Sequence, residues 1–266
     1  MSRITLEICV DDAAGIRAAA TGGADRIELC AALALGGLTP SAGLMELAAA
    51  SPLPAMAMIR PRAGDFVWSR DELTAMRAEI AAARSAGLAG IVIGASHHDG
   101  RLHAEMLADL IRAAEGMEVT LHRAIDLAPD PVEAMRLAAD LGIRRVLSSG
   151  GAATALAGIE RLAQMAKATP LVSVMPGGGV SEMNAALFAT HLPLREIHAS
   201  ASVAAPPPDL RENSRSRPLA ETARTPVRGA PNSDRPASRH EHDGRNDAPR
   251  HGVRTGTACR WSRQGR

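Results

Sequence analysis

Two stretches of the sequence carry the same pattern, Glu7-Ile8-Cys9 and Glu28-Leu29-Cys30. In an extended strand, residues two apart share a face, so each pair would present a carboxylate and a thiol to one side. If the two stretches are neighbouring strands in matching register, Cys9 and Cys30 could share a small site. The bland alternative is a buried cysteine acting as a small apolar residue, since neither belongs to a Cys-x-x-Cys or Cys-x-Cys pair. Cationic and glycine-rich segments complete the set: Arg60-Pro61-Arg62, His122-Arg123 with Asp126 beyond, Ser148-Ser149-Gly150-Gly151, Pro176-Gly177-Gly178-Gly179 and Glu196-Ile197-His198. Arg60, Arg62 and Arg123, with backbone N–H groups at Gly150, Gly151, Gly177, Gly178 and Gly179, are candidates for holding an anion. Glu7, Glu28, Arg60, His122, Glu196 and His198 are candidates for acid–base chemistry on a phosphorylated or carboxylated metabolite. The structural alternative is that the glycines make tight turns and Arg–Glu pairs hold the scaffold together. The sequence has no nucleophile elbow, Walker loop or dinucleotide fingerprint, so no reaction type follows.

These segments recur at the ends of short apolar runs. The runs are 4–10, 26–30, 55–60, 90–94, 118–123, 144–148, 171–175 and 195–199. Helix-like segments separate them near 11–21, 41–50, 70–86, 103–115, 131–141, 152–168 and 181–190. Asp11-Asp12, Ser41, Ser69 and Ser181 supply helix caps, Pro131 suits a first helical position, and Gly22, Gly87, Gly116 and Gly142 mark helix ends. Eight strands alternating with helices in a chain of this length predict an α/β fold of the TIM type, a (β/α)8 barrel. Its function would sit at the C-terminal ends of the strands, where the polar segments fall. No eighth helix is recognisable after the last strand, so the seam between strands eight and one is expected to lack its cover.

Met56 and Met58 alternate along strand three as gap fillers in a core short of aromatics. Leu73, Met76 and Ile80 follow helical spacing and should pack on the outer wall. His97-His98-Asp99 reads as a solvated turn. Phe66 and Trp68 fall in the loop after strand three, where a lid or a contact with a second copy of the chain, a homodimer, is expected.

The 266-residue chain has a formal charge of +1, but its halves differ. Residues 1–202 hold 17 Lys+Arg and 22 Asp+Glu, whereas 203–266 hold 13 Arg, no Lys and 7 Asp+Glu. The second segment also has eight of the seventeen Pro and none of the eleven Met. It cannot bury enough apolar area to offset chain entropy, so 1–202 reads as the barrel and 203–266 as a disordered Arg/Pro-rich tail. The tail's composition also matches a GC-rich gene read out of frame. It has Trp261 as its single aromatic and no repeats, so nucleic acid is not expected as a partner. Three cysteines, Cys259 in the tail among them, fit a reducing compartment rather than a disulfide framework. No apolar run is long enough to span a membrane, and Glu7 interrupts the N-terminus where a signal peptide would be apolar.

The segments Glu7-Ile8-Cys9, Gly23-Ala24-Asp25-Arg26-Ile27-Glu28-Leu29-Cys30-Ala31 and Gly36-Gly37-Leu38-Thr39-Pro40-Ser41 resemble the opening of the copper homeostasis protein CutC family. The likeness continues in order through Ile59-Arg60-Pro61-Arg62, Gly64-Asp65-Phe66, His122-Arg123-Ala124, Asp126, Ser149-Gly150, Gly177-Gly178-Gly179-Val180 and Glu196-Ile197-His198-Ala199-Ser200. It covers residues 1 to about 201 and departs from the family thereafter. The resemblance implies a cytoplasmic TIM-type barrel linked to copper tolerance. It also implies Cu(I) binding at Cys9 and Cys30, the positions matching the two cysteines credited with it, a role that suits soft thiolates. A copper ion or a small anionic metabolite is therefore the expected partner.

Overall fold

Alternating apolar runs and capped helical stretches fold into eight parallel strands, with a helix after each of the first seven, in a computed structural model that describes residues 3–200. The order is β1 (Thr5–Val10), α1 (Ala13–Gly22), β2 (Arg26–Leu29), α2 (Ala42–Ala49), β3 (Ala55–Met58), α3 (Arg70–Ser85), β4 (Gly90–Ile93) and α4 (Ala104–Ala114). It continues with β5 (Glu118–Leu121), α5 (Pro131–Asp140), β6 (Arg145–Ser148), α6 (Ile159–Ala168), β7 (Ser173–Pro176), α7 (Ala185–His191) and β8 (Glu196–Ser200). Short 3-10 turns follow β2 at Leu33–Leu35 and β5 at Arg123–Leu127. The expected tail at 203–266, Cys259 and the position of an eighth helix lie outside the described residues.

Hydrogen bonding runs from β7 through β6, β5, β4, β3, β2 and β1 to β8, with every ladder parallel. The sheet bends into a (β/α)8 barrel whose end strands β7 and β8 lie side by side without a ladder. The expectation of an uncovered seam between strands eight and one concerns a helix outside the described residues, while the strands there are paired. β8 is paired to β1 along its length, from Thr5 opposite Glu196 to Cys9 opposite Ser200, and the seam falls between β7 and β8.

Local rules explain most helix limits. Asp12 caps α1 through the Gly15 N–H, Ser41 caps α2 through Leu44, and Ser69 with Glu72 closes a capping box on α3. Pro131 begins α5 behind an Asp130 cap. Ser181 does not cap α7; that helix starts four residues later, after Asn184, whose amide oxygen instead accepts the Ser181 N–H. α6 likewise starts at Ile159 rather than 152, because 150–158 is folded back on itself. A Cβ on Gly150 would lie 2.4 Å from the Gly158 carbonyl oxygen, an approach only glycine permits.

The apolar core fills the space between sheet and helices. Ile8, Ile27, Leu29, Ile91, Ile93 and Val146 point outward from the strands against Ile16, Met76, Ile80, Leu107, Leu110 and Leu162. Each such buried aliphatic side chain is worth about 2 kcal/mol. The inner faces are different. Cys30, Met56, Met58 and Val92 form a small apolar cluster on β2–β4, and Glu7, Arg26, Glu28 and His198 place charged and titratable groups on the inner wall as well.

Candidate functional site

Alternation along β1, β2 and β8 sends Glu7, Cys9, Arg26, Glu28, Cys30, Glu196 and His198 inward. The register decides which of them meet. Glu7 is level with Arg26 on one side and His198 on the other, and Cys9 is level with Glu28 and Ser200. Cys30 sits one inward step beyond Cys9, so the registers of the two cysteines do not match. The ligand atoms of Cys9, Glu28 and His198 lie within 4.8 Å of one another, the one such group among the described residues. Cys30 is outside that group, although its thiol contacts Glu28 Oε2 at 3.6 Å.

Beneath the group is a buried ion-pair network. Glu7 is fully buried and bonds Arg26 with one oxygen and His198 Nδ1 with the other, at 2.9 Å. Arg26 continues to Glu196, which also binds Arg145, and Arg145 reaches Glu118 and Thr120. Glu196 is the first residue of β8, so it belongs to the far end of the barrel and not to the mouth where the sequence suggested it. Arg26 and Arg145 are inner-wall charges that no motif in the sequence singles out. Yet the alternation that turns Glu28 and Cys30 inward already includes Arg26.

The network sets protonation. Burial alone would raise the Glu7 pKa, but the His198 hydrogen bond and charge together with Arg26 outweigh it and hold Glu7 down at about 2. Burial would lower His198, but Glu28, Cys9 and Glu7 push it well above its ordinary value. Burial raises Glu28, only partly opposed by His198. Burial and the neighbouring Glu28 push the Cys30 thiol up, so it resists forming the thiolate.

The cationic candidates divide. Arg62 is largely consumed by Glu72 and Asp65 and stacks over Trp68, its guanidinium carbon 4.8 Å from the ring centre. Arg123 bonds Asp126 and Ser149. The glycine turn after β6 already holds an anion of its own: Asp126 accepts from the Ser148 hydroxyl, from the N–H and hydroxyl of Ser149, and from the Gly151 N–H. The Gly150 N–H goes to Ser148 Oγ and the Gly177 N–H to the Ser148 carbonyl. Gly178 and Gly179 flank this turn, with carbonyls accepting from Ala155 and Asn184.

Arg60 and His122 remain as buried groups at the mouth. Arg60 donates to the carbonyls of Leu35, Gly37 and Gly64, and His122 Nδ1 accepts the Ala124 N–H at 3.1 Å. Phe66 lies against His122 and under Arg60, while Trp68 is buried and donates its indole N–H to the Gly94 carbonyl at 2.8 Å. Trp68 therefore belongs to the core and is not the exposed contact residue expected; its ring covers the top of β4. His97, His98 and Asp99 form the exposed turn anticipated, His97 stacking on His103. No helix among the described residues is long and apolar enough to cross a membrane.

Residues 4–203 match the model of the CutC family. A family protein CutC of Rhizobium meliloti is 54% identical over 212 residues, covering 79% of this chain and 86% of the relative. One from Caulobacter vibrioides is 46% identical over 227 residues, covering 80% and 93%. The solved structure of a CutC from Streptococcus agalactiae superposes with a TM-score of 0.70 at 26% identity, over 74% of this chain and 98% of that one. A phosphoenolpyruvate phosphomutase from Streptomyces platensis subsp. rosaceus shares the barrel fold alone, with a TM-score of 0.55 at 14% identity over 75% and 77%. With the family model spanning nearly all the described residues and relatives above half identity, this chain belongs to the CutC family.

Proposed function

We propose that this chain serves copper homeostasis in the cytoplasm by taking Cu(I) as cargo at the Cys9–Glu28–His198 group. The observation that carries this is the convergence of a thiol, an imidazole nitrogen and a carboxylate oxygen within 4.8 Å at the barrel's inner wall. The donor set fits the ion: Cu(I) is soft and accepts low coordination numbers, so a Cys9 thiolate and a His198 nitrogen suffice, with Glu28 balancing charge. The surroundings fit as well. Glu7 holds His198 Nδ1 and leaves Nε2, 3.8 Å from Glu28, to the ion, which would displace the proton held there, and a carboxylate behind a ligating imidazole fixes its orientation and raises its basicity. The two S. agalactiae and R. meliloti relatives carry the CutC name, and the former is described as a copper homeostasis protein.

The family resemblance credits Cys9 and Cys30 together, whereas the register favours Cys9 with His198. Titration of the reduced protein with Cu(I) against a chromophoric Cu(I) chelator separates the two. Cys9→Ser and His198→Asn should each weaken retention by about tenfold or more. Cys30→Ser should change it little. Undiminished retention in Cys9→Ser would remove the site.

A further inference from the structure

We propose that the mouth of the barrel also binds a small organic carboxylate, received by Arg60 and His122. The two residues follow β3 and β5 at the C-terminal end of the barrel, the face on which barrels of this kind place their ligands. Both are more than nine-tenths buried, at 7% and 3% exposure, and among the described residues both keep a nitrogen without a partner: Arg60 Nε and His122 Nε2. Such orphaned polar atoms are uncommon in a folded interior and point to a missing group.

Arg60 is set apart from the other buried arginine of the barrel. Arg26 faces two carboxylates, and half-buried Arg145 does too. Arg60 among the described residues meets only backbone carbonyls and the Phe66 ring, its guanidinium carbon 5.1 Å from the ring centre. Carbonyl dipoles satisfy N–H groups but cannot neutralise the charge, and a buried charge without a counter-ion is costly. Among the described residues the Arg60 charge is thus left without a carboxylate partner.

His122 adds a second donor without a second charge. Its Nδ1 accepts the Ala124 N–H, which places the ring proton on Nε2. Burial and nearby Arg60 hold the imidazole neutral, with a pKa of about 3. The ring lies directly over Gly94, where a Cβ would fall 2.1 Å from His122 Cε1, and against Phe66, with ring centres 4.6 Å apart. Phe66 thus touches both donors and offers an apolar wall to the carbon skeleton. One positive charge and two N–H donors match a single carboxylate. A phosphate dianion would bring more charge and more acceptors than this pair can satisfy.

The test uses pyruvate as probe, inorganic phosphate as comparison and sodium chloride at matched ionic strength as control, read by the thermal midpoint of the full-length reduced protein. Pyruvate should raise the midpoint in a saturable manner that chloride does not reproduce, since a ligand stabilises the state it binds. His122→Gln and Arg60→Lys should each weaken that response about tenfold. Circular dichroism verifies folding, and His122→Gln suffices if Arg60→Lys does not fold. A pyruvate response equal to that of chloride, a stronger response to phosphate, or an undiminished response in folded His122→Gln would each overturn the proposal.

Discussion

Replacing Glu7 by Gln isolates the worth of the buried network. The substitution keeps the shape of the side chain, removes its charge, and leaves Arg26 to Glu196 and His198 to Glu28. The fall of the Glu7 pKa from 4.5 to about 2 is equivalent to about 3 kcal/mol of native-state stabilisation at neutral pH. Breaking one partner of a buried ion pair typically costs about 3–5 kcal/mol, so the two routes agree. The sign over pH is fixed as well. A depressed carboxylate stabilises fully above its unfolded pKa of 4.5 and loses that contribution as pH falls toward 2. Urea unfolding of wild type and Glu7→Gln, followed by far-ultraviolet circular dichroism, should therefore show a gap of about 3 kcal/mol at neutral pH that shrinks below 4.5. A gap under about 1 kcal/mol at neutral pH, or one that widens on acidification, would refute the reasoning.

Three further outcomes are expected. Asp126→Asn strips charge from the acceptor at the centre of the 148–151 turn and should cost about 2 kcal/mol, with faster amide exchange at Ser149 and Gly151 by hydrogen–deuterium mass spectrometry. Gly94→Ala drives a methyl group into His122, so the thermal midpoint should fall, by about 2 kcal/mol of stability, and the pyruvate response should vanish. Ser69→Ala opens the capping box of α3 and should cost about 1 kcal/mol, seen as a lower urea midpoint without a changed slope.

Strands, helices and their inward faces were legible because they follow from period and punctuation. Glu7, Cys9, Glu28 and Cys30 alternate as written, and Asp12, Ser41, Ser69 and Pro131 act locally. What escaped depends on distance in space. Nothing in the sequence states that Cys9 is level with Glu28 rather than Cys30, since register comes from how two separate strands slide together. Asp126 occupies the glycine turn from 25 residues away, so a pattern that looks ready for a foreign anion is already satisfied. Trp68 is an apolar ring with one N–H, equally suited to an interface or to a core with a waiting carbonyl, and Gly94 supplies that carbonyl. Glu196 lies two residues from His198 in a short apolar run whose direction of entry the sequence does not mark, and its strand begins there.

The pairing of β1 with β8 also governs the order of assembly during synthesis. Glu7 and His198 are 191 residues apart, so the imidazole reaches its carboxylate only after almost the whole barrel has left the ribosome. Until then β1 presents an unpaired edge, and Glu7 has Arg26 as its sole charged companion on a neighbouring strand. A nascent chain halted before β8 would hold a sticky edge beside an incomplete ion cluster, making that interval the moment at which a chaperone matters most.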